Sequence, residues 1–527
     1  MTFHQHSKQI AEDYLGTVAY VDDLIFSNNK EKEATKLSGI EIREVRTVKI
    51  TDKIEGNHEE KSVRQLHPNI NPLELSNSFL KKGIHCALLE ITKEDDSLEP
   101  IKRILNKTDI AILDWQMHGD SGNKAIELLL SILDNSQKAE LRLIIIYTEE
   151  QTYASILPDI ILPRLLDIDI KNGILDKSNC KYLNGHTKIV VLKKENGIKT
   201  DFSVSDEELP ERIIEEFTDI TEGLVSNTAL KAVSTVRRNT HNLLAIFNKD
   251  LDAAFFNHRA FLETPSDSQL HVVNWIADEI KDTLYFNNVS KEMGLDNIKL
   301  SLNSTEIDEY PIFDKHGIEK KKLAKNLMIS LLEKGCIQHN IENDKNGNNI
   351  PQSWINHFYK SFVLVDTNIN EKFAALSSLS SSSFTHDAHQ FLTLGVILKR
   401  EDDILLCIQP SCDSFRLKKM TRFIFLKVEK NSENFDLVVP EGKNYQKLAI
   451  INKTDNIELI SFDPSNGIVI SGTDNNDEVF EDISGTKYKW IANLKYPFAQ
   501  RIANAFAYEI SRVGLDESEW LRKRSGN

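Results

Sequence analysis

The chain has 527 residues, 40% of them hydrophobic, and carries 64 Lys plus Arg against 80 Asp plus Glu, a net charge of −16. At roughly 100–200 residues per domain, that length suits three or four domains, each with enough apolar material for a core. The acidic balance excludes a global attraction to nucleic acid or acidic membranes, and five scattered cysteines give no disulfide framework.

Met1 to Glu12 is polar and lacks the basic and apolar segments of a signal peptide. No apolar run approaches the roughly 18 residues of a membrane span, so a soluble, cytoplasmic protein without a membrane partner is expected.

The first apolar strand runs from Leu15 and reaches Asp22 and Asp23. Ser27 to Ile70 reads as a charged insertion, with strand-like alternation over Glu41 to Arg46. Pro72 to Lys82 suits a helix, His85 to Ile91 a strand, and Asp109 to Leu113 a strand ending at Asp114. A helix over Gly122 to Leu133 precedes the strongest strand signal, Leu141 to Tyr147, and Ile189 to Leu192 forms a further strand before Lys193. Continuous apolar strands alternating with helices predict an α/β fold, a doubly wound parallel sheet covered on both faces, over residues 14–200.

Residues 206–350 are expected to form a helical domain or linker bundle. Ala229 to Ala254 and Val272 to Leu284 carry helical stripes, Lys321 to Lys334 is a further helical piece, and Glu342 to Pro351 marks a boundary. Such helices suit a bundle, a lever or a dimerisation element in a homo-oligomer. Residues 351–527 read as an α+β domain with a largely antiparallel sheet. It has a serine-rich loop at Ser377 to Phe384, strands at Leu392 to Lys399, Asp403 to Gln409, Arg422 to Glu429, Phe435 to Val439 and Ile457 to Phe462, and a closing helix at Leu494 to Val513.

A doubly wound sheet gathers function at the carboxyl ends of its strands. Asp22, Asp23, Asp114, Thr148 and Lys193 all fall on that rim. Three carboxylates form a hard oxygen site suited to Mg²⁺, and one of them can attack a phosphoryl group. A lysine and a hydroxyl can neutralise and bind the transferring oxygens. Singly, each residue is more readily an ordinary strand-end side chain; together and in order they are specific.

The segment Asp114-Trp115-Gln116-Met117, with Gly122, resembles the phosphoacceptor loop of bacterial two-component response-regulator receivers. In that family Met or Leu stands at the third position after the acceptor aspartate and Gly at the eighth, as Met117 and Gly122 do here. The resemblance implies that Asp22 and Asp23 are the metal-binding pair, Thr148 the hydroxyl residue, and Lys193 the rim lysine. It also implies a histidine-kinase or GHKL-type ATPase partner as donor, since the chain carries no Gly-rich ATP lid or Walker A sequence. His118 and Lys194 stand where the family has proline, and Val190 stands where a switch aromatic is often found. The spacings from Asp22 to Asp114 and from Thr148 to Lys193 are long, as surface insertions would make them.

His241 lies on a helix near Arg237 and Arg238 and reads as a polar-face residue rather than a phosphotransfer histidine. In the C-terminal part, Cys412, Asp413 and Arg416 follow a strand bearing Cys407. Asp413 and Arg416 suit a pair across a turn. Cys412 as a nucleophile requires His386 or His389 nearby, and a metal reading would add Cys407. A structural turn is the favoured reading. The Gly395 to Ile397 strand, this loop and the final helix resemble multidomain receiver-like proteins of bacterial conflict and antiphage operons. The expected function is a phosphorylated signalling switch in bacterial defence. The alternatives are an effector enzyme regulated by the receiver, or a scaffold that is never phosphorylated. No basic helix-turn-helix supports a nucleic-acid partner.

Overall fold

The computed structural model describes residues 1–26, 71–92, 97–134, 141–165, 173–195, 203–314, 316, 318–343, 349–351, 354, 368–380, 389–431, 434–442, 444–475 and 477–511. The alternation at Glu41 to Arg46, the serines beyond Ser380 and His386 lie outside the described residues. Two compact units are present, Met1–Asp308 with Lys325–Glu333, and Glu309–Ala324 with Lys334–Asn527.

The first unit opens on helix α1 (Phe3–Tyr14), whose Thr2 and Gln5 form a reciprocal capping box. Phe3, Ser7, Ile10 and Ala11 recur at helical spacing and form its buried stripe. Then come β1 (Thr17–Asp22), α2 (Pro72–Lys81), β2 (His85–Glu90), α3 (Glu99–Leu105), β3 (Ile110–Asp114), α4 (Asn123–Asp134) and β4 (Arg142–Thr148). An irregular helical run α5 over residues 153–165 is followed by β5 (Ile174–Asp176), β6 (Lys181–Asn184), β7 (Thr187–Lys194) and β8 (Ser203–Val204). The parallel core has the order β2-β1-β3-β4-β7; β6 pairs antiparallel with β7, and β5 with β6. The β5–β6 hairpin accounts for part of the long interval between Thr148 and β7.

Side chains alternate between the sheet's two faces. Val18, Tyr20, Ile110, Ile112, Ile145, Tyr147, Val190 and Leu192 pack in one core with α1, α2 and α6 (Leu209–Thr221). Ala19, Val21, Ala111, Leu113, Ile144, Ile146, Ile189 and Val191 pack in the other, with α4 and α5. The helix α6 contributes Leu209, Ile213, Ile214 and Phe217 to the first core. It is followed by α7 (Leu224–Ile246), α8 (Asp252–Phe261), α9 (Asp267–Phe286) and α10 (Leu295–Ser304).

The helical expectation fails at Lys321 to Ala324. These residues belong to β10 (Glu319–Ala324), paired antiparallel with β9 (Glu309–Phe313), and the helix α11 (Lys325–Asn343) begins only afterwards. Three successive lysines hide the strand alternation, which only buried Leu323 reveals. Ser377 and Ser378 likewise end a helix, α12 (Ile369–Ser378), rather than opening a loop.

The rest of the second unit is a nine-stranded antiparallel sheet built from β11 (Val396–Arg400), β12 (Asp403–Cys407), β13 (Thr421–Lys430), β14 (Leu437–Glu441), β15 (Asn444–Ile450), β16 (Ile457–Phe462), β17 (Gly472–Asp474), β18 (Asp477–Glu481) and β19 (Lys487–Asn493). One face packs under α12 and α13 (Tyr496–Ile510) through Ala375, Ala499, Ile502 and Phe506. The other holds the aromatic cluster of Phe423, Phe425, Phe462, Phe480 and Tyr488.

Candidate functional site

Asp22 and Asp114 end neighbouring parallel strands on the face shared by Tyr20 and Ile112, and Asp23 begins the loop after β1. All three carboxylates are buried, and each offers an oxygen within 4.8 Å of the others'. Each is also oriented. Tyr20 OH donates to Asp22 Oδ2 at 2.9 Å and Leu24 N to Asp22 Oδ1 at 2.9 Å. Gln116 N donates to Asp114 Oδ2 at 2.9 Å, and His118 N to Asp23 Oδ2 at 2.6 Å.

The lysine at this site is Lys194, where Lys193 was expected. Lys194 Nζ donates to Asp114 Oδ1 at 2.6 Å and to Asp22 Oδ2 at 3.1 Å. Strand alternation is the reason: Lys194 follows Val190 and Leu192 on the face of Asp22 and Asp114. Lys193 follows Ile189 and Val191 on the other. There Lys193 Nζ meets Gln151 Oε1 at 3.3 Å and lies 5.7 Å from the Tyr153 ring centroid. The residue that stands where the family has proline therefore supplies the buried ammonium.

The loop after Asp114 departs from the family in one further respect. His118 has φ +57°, a left-handed conformation that proline cannot adopt. Its ring bridges Ile91 O at 2.8 Å through Nε2 and Asp23 Oδ2 at 3.0 Å through Nδ1. The Ile91 carbonyl can only accept, so Nε2 carries a proton in this contact. Gly122 has φ +86°, and a Cβ there would lie 2.3 Å from the buried Trp115 ring, so only glycine fits. Met117 is fully buried beneath the loop. Thr148, buried at the end of β4, accepts from Glu150 N at 3.1 Å, and Glu150 Oε1 receives Gln116 Nε2 at 2.6 Å.

Burial pushes the Asp114 carboxyl up; Lys194 opposes this, and the charges of Asp22 and Asp23 reinforce it. Burial also raises Asp23, against the His118 amide. For Lys194, burial favours the neutral amine, but Asp114 and Asp22 together outweigh it and hold the ammonium charged. Three carboxylates and one ammonium leave a surplus of negative charge in a confined space. The donor set is hard oxygen only, and it fits a small divalent cation such as Mg²⁺.

Among the described residues, the C-terminal candidates do not assemble into a comparable centre. Cys412 and Asp413 form an exposed 3₁₀ turn, closed by Ser414 Oγ donating to Pro410 O at 3.0 Å. Cys407 is fully buried at the end of β12, its thiol pushed up to about 12 by burial, so it faces the core while Cys412 faces solvent. Arg416 is exposed with φ +63°. His389 Nδ1 contacts Glu478 Oε2 at 3.2 Å. His241 is exposed on α7. No helix among the described residues is long and apolar enough to cross a membrane.

Sequence reasoning missed Lys194 as the ammonium, and also Tyr20 and Tyr147, which flank it. The signal was available: counting in twos back from Lys194 along β7 leads through Leu192 and Val190, the face on which Asp114 lies.

Comparison with curated proteins and with solved structures gave no match. Residues 14–199 match the family model described as the response receiver domain, and this part of the chain is a receiver domain with the α/β fold of that family.

Proposed function

We propose that the protein is a signalling switch in which Asp114 accepts a phosphoryl group while Mg²⁺ is held by Asp22, Asp23 and Asp114. The observation that carries this reading is the buried cluster of three carboxylates with Lys194 Nζ 2.6 Å from Asp114 Oδ1, inside a receiver domain. When bound, the cation offsets carboxylate charge and orients the oxygens of the incoming phosphoryl group.

The chain's own residues supply the rest. An Asp114 oxygen attacks phosphorus; a carboxylate O–P bond forms, the donor–P bond breaks, and its electron pair leaves with the donor. The Lys194 ammonium stabilises the transferring oxygens. Thr148 Oγ1 accepts from Glu150 N and keeps its hydroxyl proton for a phosphoryl oxygen. The donor is a separate histidine-kinase or GHKL-type ATPase partner, as the receiver resemblance implies. The C-terminal resemblance supports a role in bacterial defence.

Titration with Mg²⁺, read by calorimetry, tests the cation site. Asp23→Ala is expected to weaken binding by roughly tenfold or more, as loss of one hard ligand should. Equal affinity in wild type and Asp23→Ala would remove the site.

A further inference from the structure

Beyond accepting a phosphoryl group, a switch needs a group that reports the event. On β7 the residues leading to Lys194 are Val190, Val191 and Leu192, all aliphatic and buried, so no aromatic on that strand can do so. On the face of Asp114, however, two buried tyrosines stand over the lysine. Lys194 Nζ is 5.5 Å from the Tyr147 ring centroid and 6.0 Å from that of Tyr20. The two rings meet edge-to-face at 6.4 Å.

The hydroxyl of Tyr147 points away from the acidic cluster. It donates to Val204 O at 2.7 Å and lies 3.2 Å from Asp206 Oδ1. Val204 is in β8, and Asp206 is in the turn that opens α6. That turn is tied down by Ser78 Oγ donating to Asp206 O at 3.1 Å and by Leu209 N donating to Ser205 O at 2.9 Å. A chain of direct contacts therefore runs from Asp114 through Lys194 and the Tyr147 ring to Asp206 and the start of α6. The carboxyl of Asp206 registers this proximity: burial raises it, while the Tyr147 hydroxyl and the Lys194 charge pull it down.

We propose that Tyr147 is the positioning residue that couples the charge carried at Asp114 to the first turn of α6, acting through Lys194 on one side and Val204 and Asp206 on the other. As a mechanism of regulation, this rests on reading Asp114 as the phosphoryl acceptor. Transfer turns an Asp114 oxygen into an acyl phosphate oxygen and moves negative charge outward onto the phosphoryl group. Lys194 follows that charge and withdraws from the face of Tyr147. A ring that loses its cation loses an attractive contact, and the phenol is released to shift with the β8–α6 turn. From there α6 continues into the remainder of the first unit, where α1 packs against both α6 and α7.

Hydrogen exchange of the amides in residues 203–214 tests the coupling on the full chain, in wild type, Asp114→Asn, Tyr147→Phe and the double variant. Asp114→Asn changes the charge at the cluster without any phosphoryl donor. It is expected to change exchange in 203–214 by about threefold or more when Tyr147 is present, and by less than about twofold in the Tyr147→Phe background. Asp206→Ala, which removes the side-chain partner of the phenol but leaves Val204 O as its acceptor, is expected to weaken the response without abolishing it. An equal Asp114→Asn effect with and without the Tyr147 hydroxyl would overturn the proposal, and so would no effect in wild type.

The same samples, treated with acetyl phosphate and Mg²⁺ and examined by mass spectrometry, separate this inference from the function on which it rests. Modified Asp114 with unchanged exchange in 203–214 overturns the coupling alone. A Tyr147-dependent response to Asp114→Asn in a protein whose Asp114 is never modified supports the coupling and contradicts the acceptor role.

Discussion

Lys194 Nζ lies 2.6 Å from Asp114 Oδ1, on the opposite face of the sheet from its neighbour Lys193. One residue of register thus decides which of two adjacent lysines meets Asp114, because a strand turns successive side chains to opposite faces.

Lys194→Met is therefore expected to lower the rate of phosphoryl acceptance by about 10²-fold, while Lys193→Met changes it by less than about threefold. Lys194→Met also leaves buried carboxylates without their cation and should cost about 3–5 kcal/mol of stability. Acceptance is read by the initial rate with a small phosphodonor, and stability by urea unfolding with and without Mg²⁺. Equal rates for the two variants would contradict the assignment.

His118 stands where the family has proline, and restoring the family residue is expected to harm the protein. Its φ of +57° is inaccessible to proline, and its backbone N–H donates to Asp23 Oδ2 at 2.6 Å. His118→Pro should lose about 3 kcal/mol or more of stability in urea unfolding. His118→Asn, which tolerates left-handed backbone, should lose much less. A stabilised proline variant would show that the loop adopts another conformation.

The N-terminal helix brings a pH dependence. His4 Nε2 meets Glu215 Oε1 at 2.7 Å and Nδ1 meets Glu222 Oε2 at 2.8 Å. Its pKa is raised from 6.5, chiefly by the hydrogen bond with Glu222, with burial opposing and Glu215 assisting. A group raised on folding binds its proton more tightly in the folded state. The stabilisation is complete below pH 6.5, the unfolded value, and is lost as pH rises through the higher folded value. Wild type should therefore lose melting temperature relative to His4→Gln as pH rises from 6.5 through the raised folded value, and the two should run parallel below pH 6.5. Parallel melting temperatures for the two proteins over that range would contradict the contact.

The receiver part was legible because its strands are continuous apolar runs and its acidic residues fall where those runs end. Asp22, Asp23 and Asp114 were identified that way, and they meet in space. Lys194 was misread because position within a motif was weighed above strand alternation. The helix at Phe3 to Tyr14 was missed although Thr2 and Gln5 carry a capping pattern, since its face is mostly polar. The hairpin at Glu309 to Ala324 was hidden by Lys320, Lys321 and Lys322, whose charge masks the period. Strand Asn444–Ile450 was overlooked because Gln446 and Lys447 interrupt its alternation. Strand Lys487–Asn493 was overlooked although its alternation is clean, with Tyr488, Trp490 and Ala492 buried and Lys487 and Lys489 exposed. In the C-terminal unit the sequence placed Cys407 and Cys412 close together along the chain. Only the fold separates a core thiol from an exposed turn.

The most direct measurement of the central claim is tandem mass spectrometry of the peptide spanning Thr108 to Lys124, after treatment with acetyl phosphate or a cognate kinase-like partner and ATP in the presence of Mg²⁺. That peptide contains Asp109, Asp114 and Asp120, so the modified residue is identified against two internal alternatives. The account predicts a single phosphoryl group on Asp114, dependent on Mg²⁺ and absent from Asp114→Asn. Phosphate on Asp109, Asp120 or another residue, or none with the partner and ATP present, would contradict it.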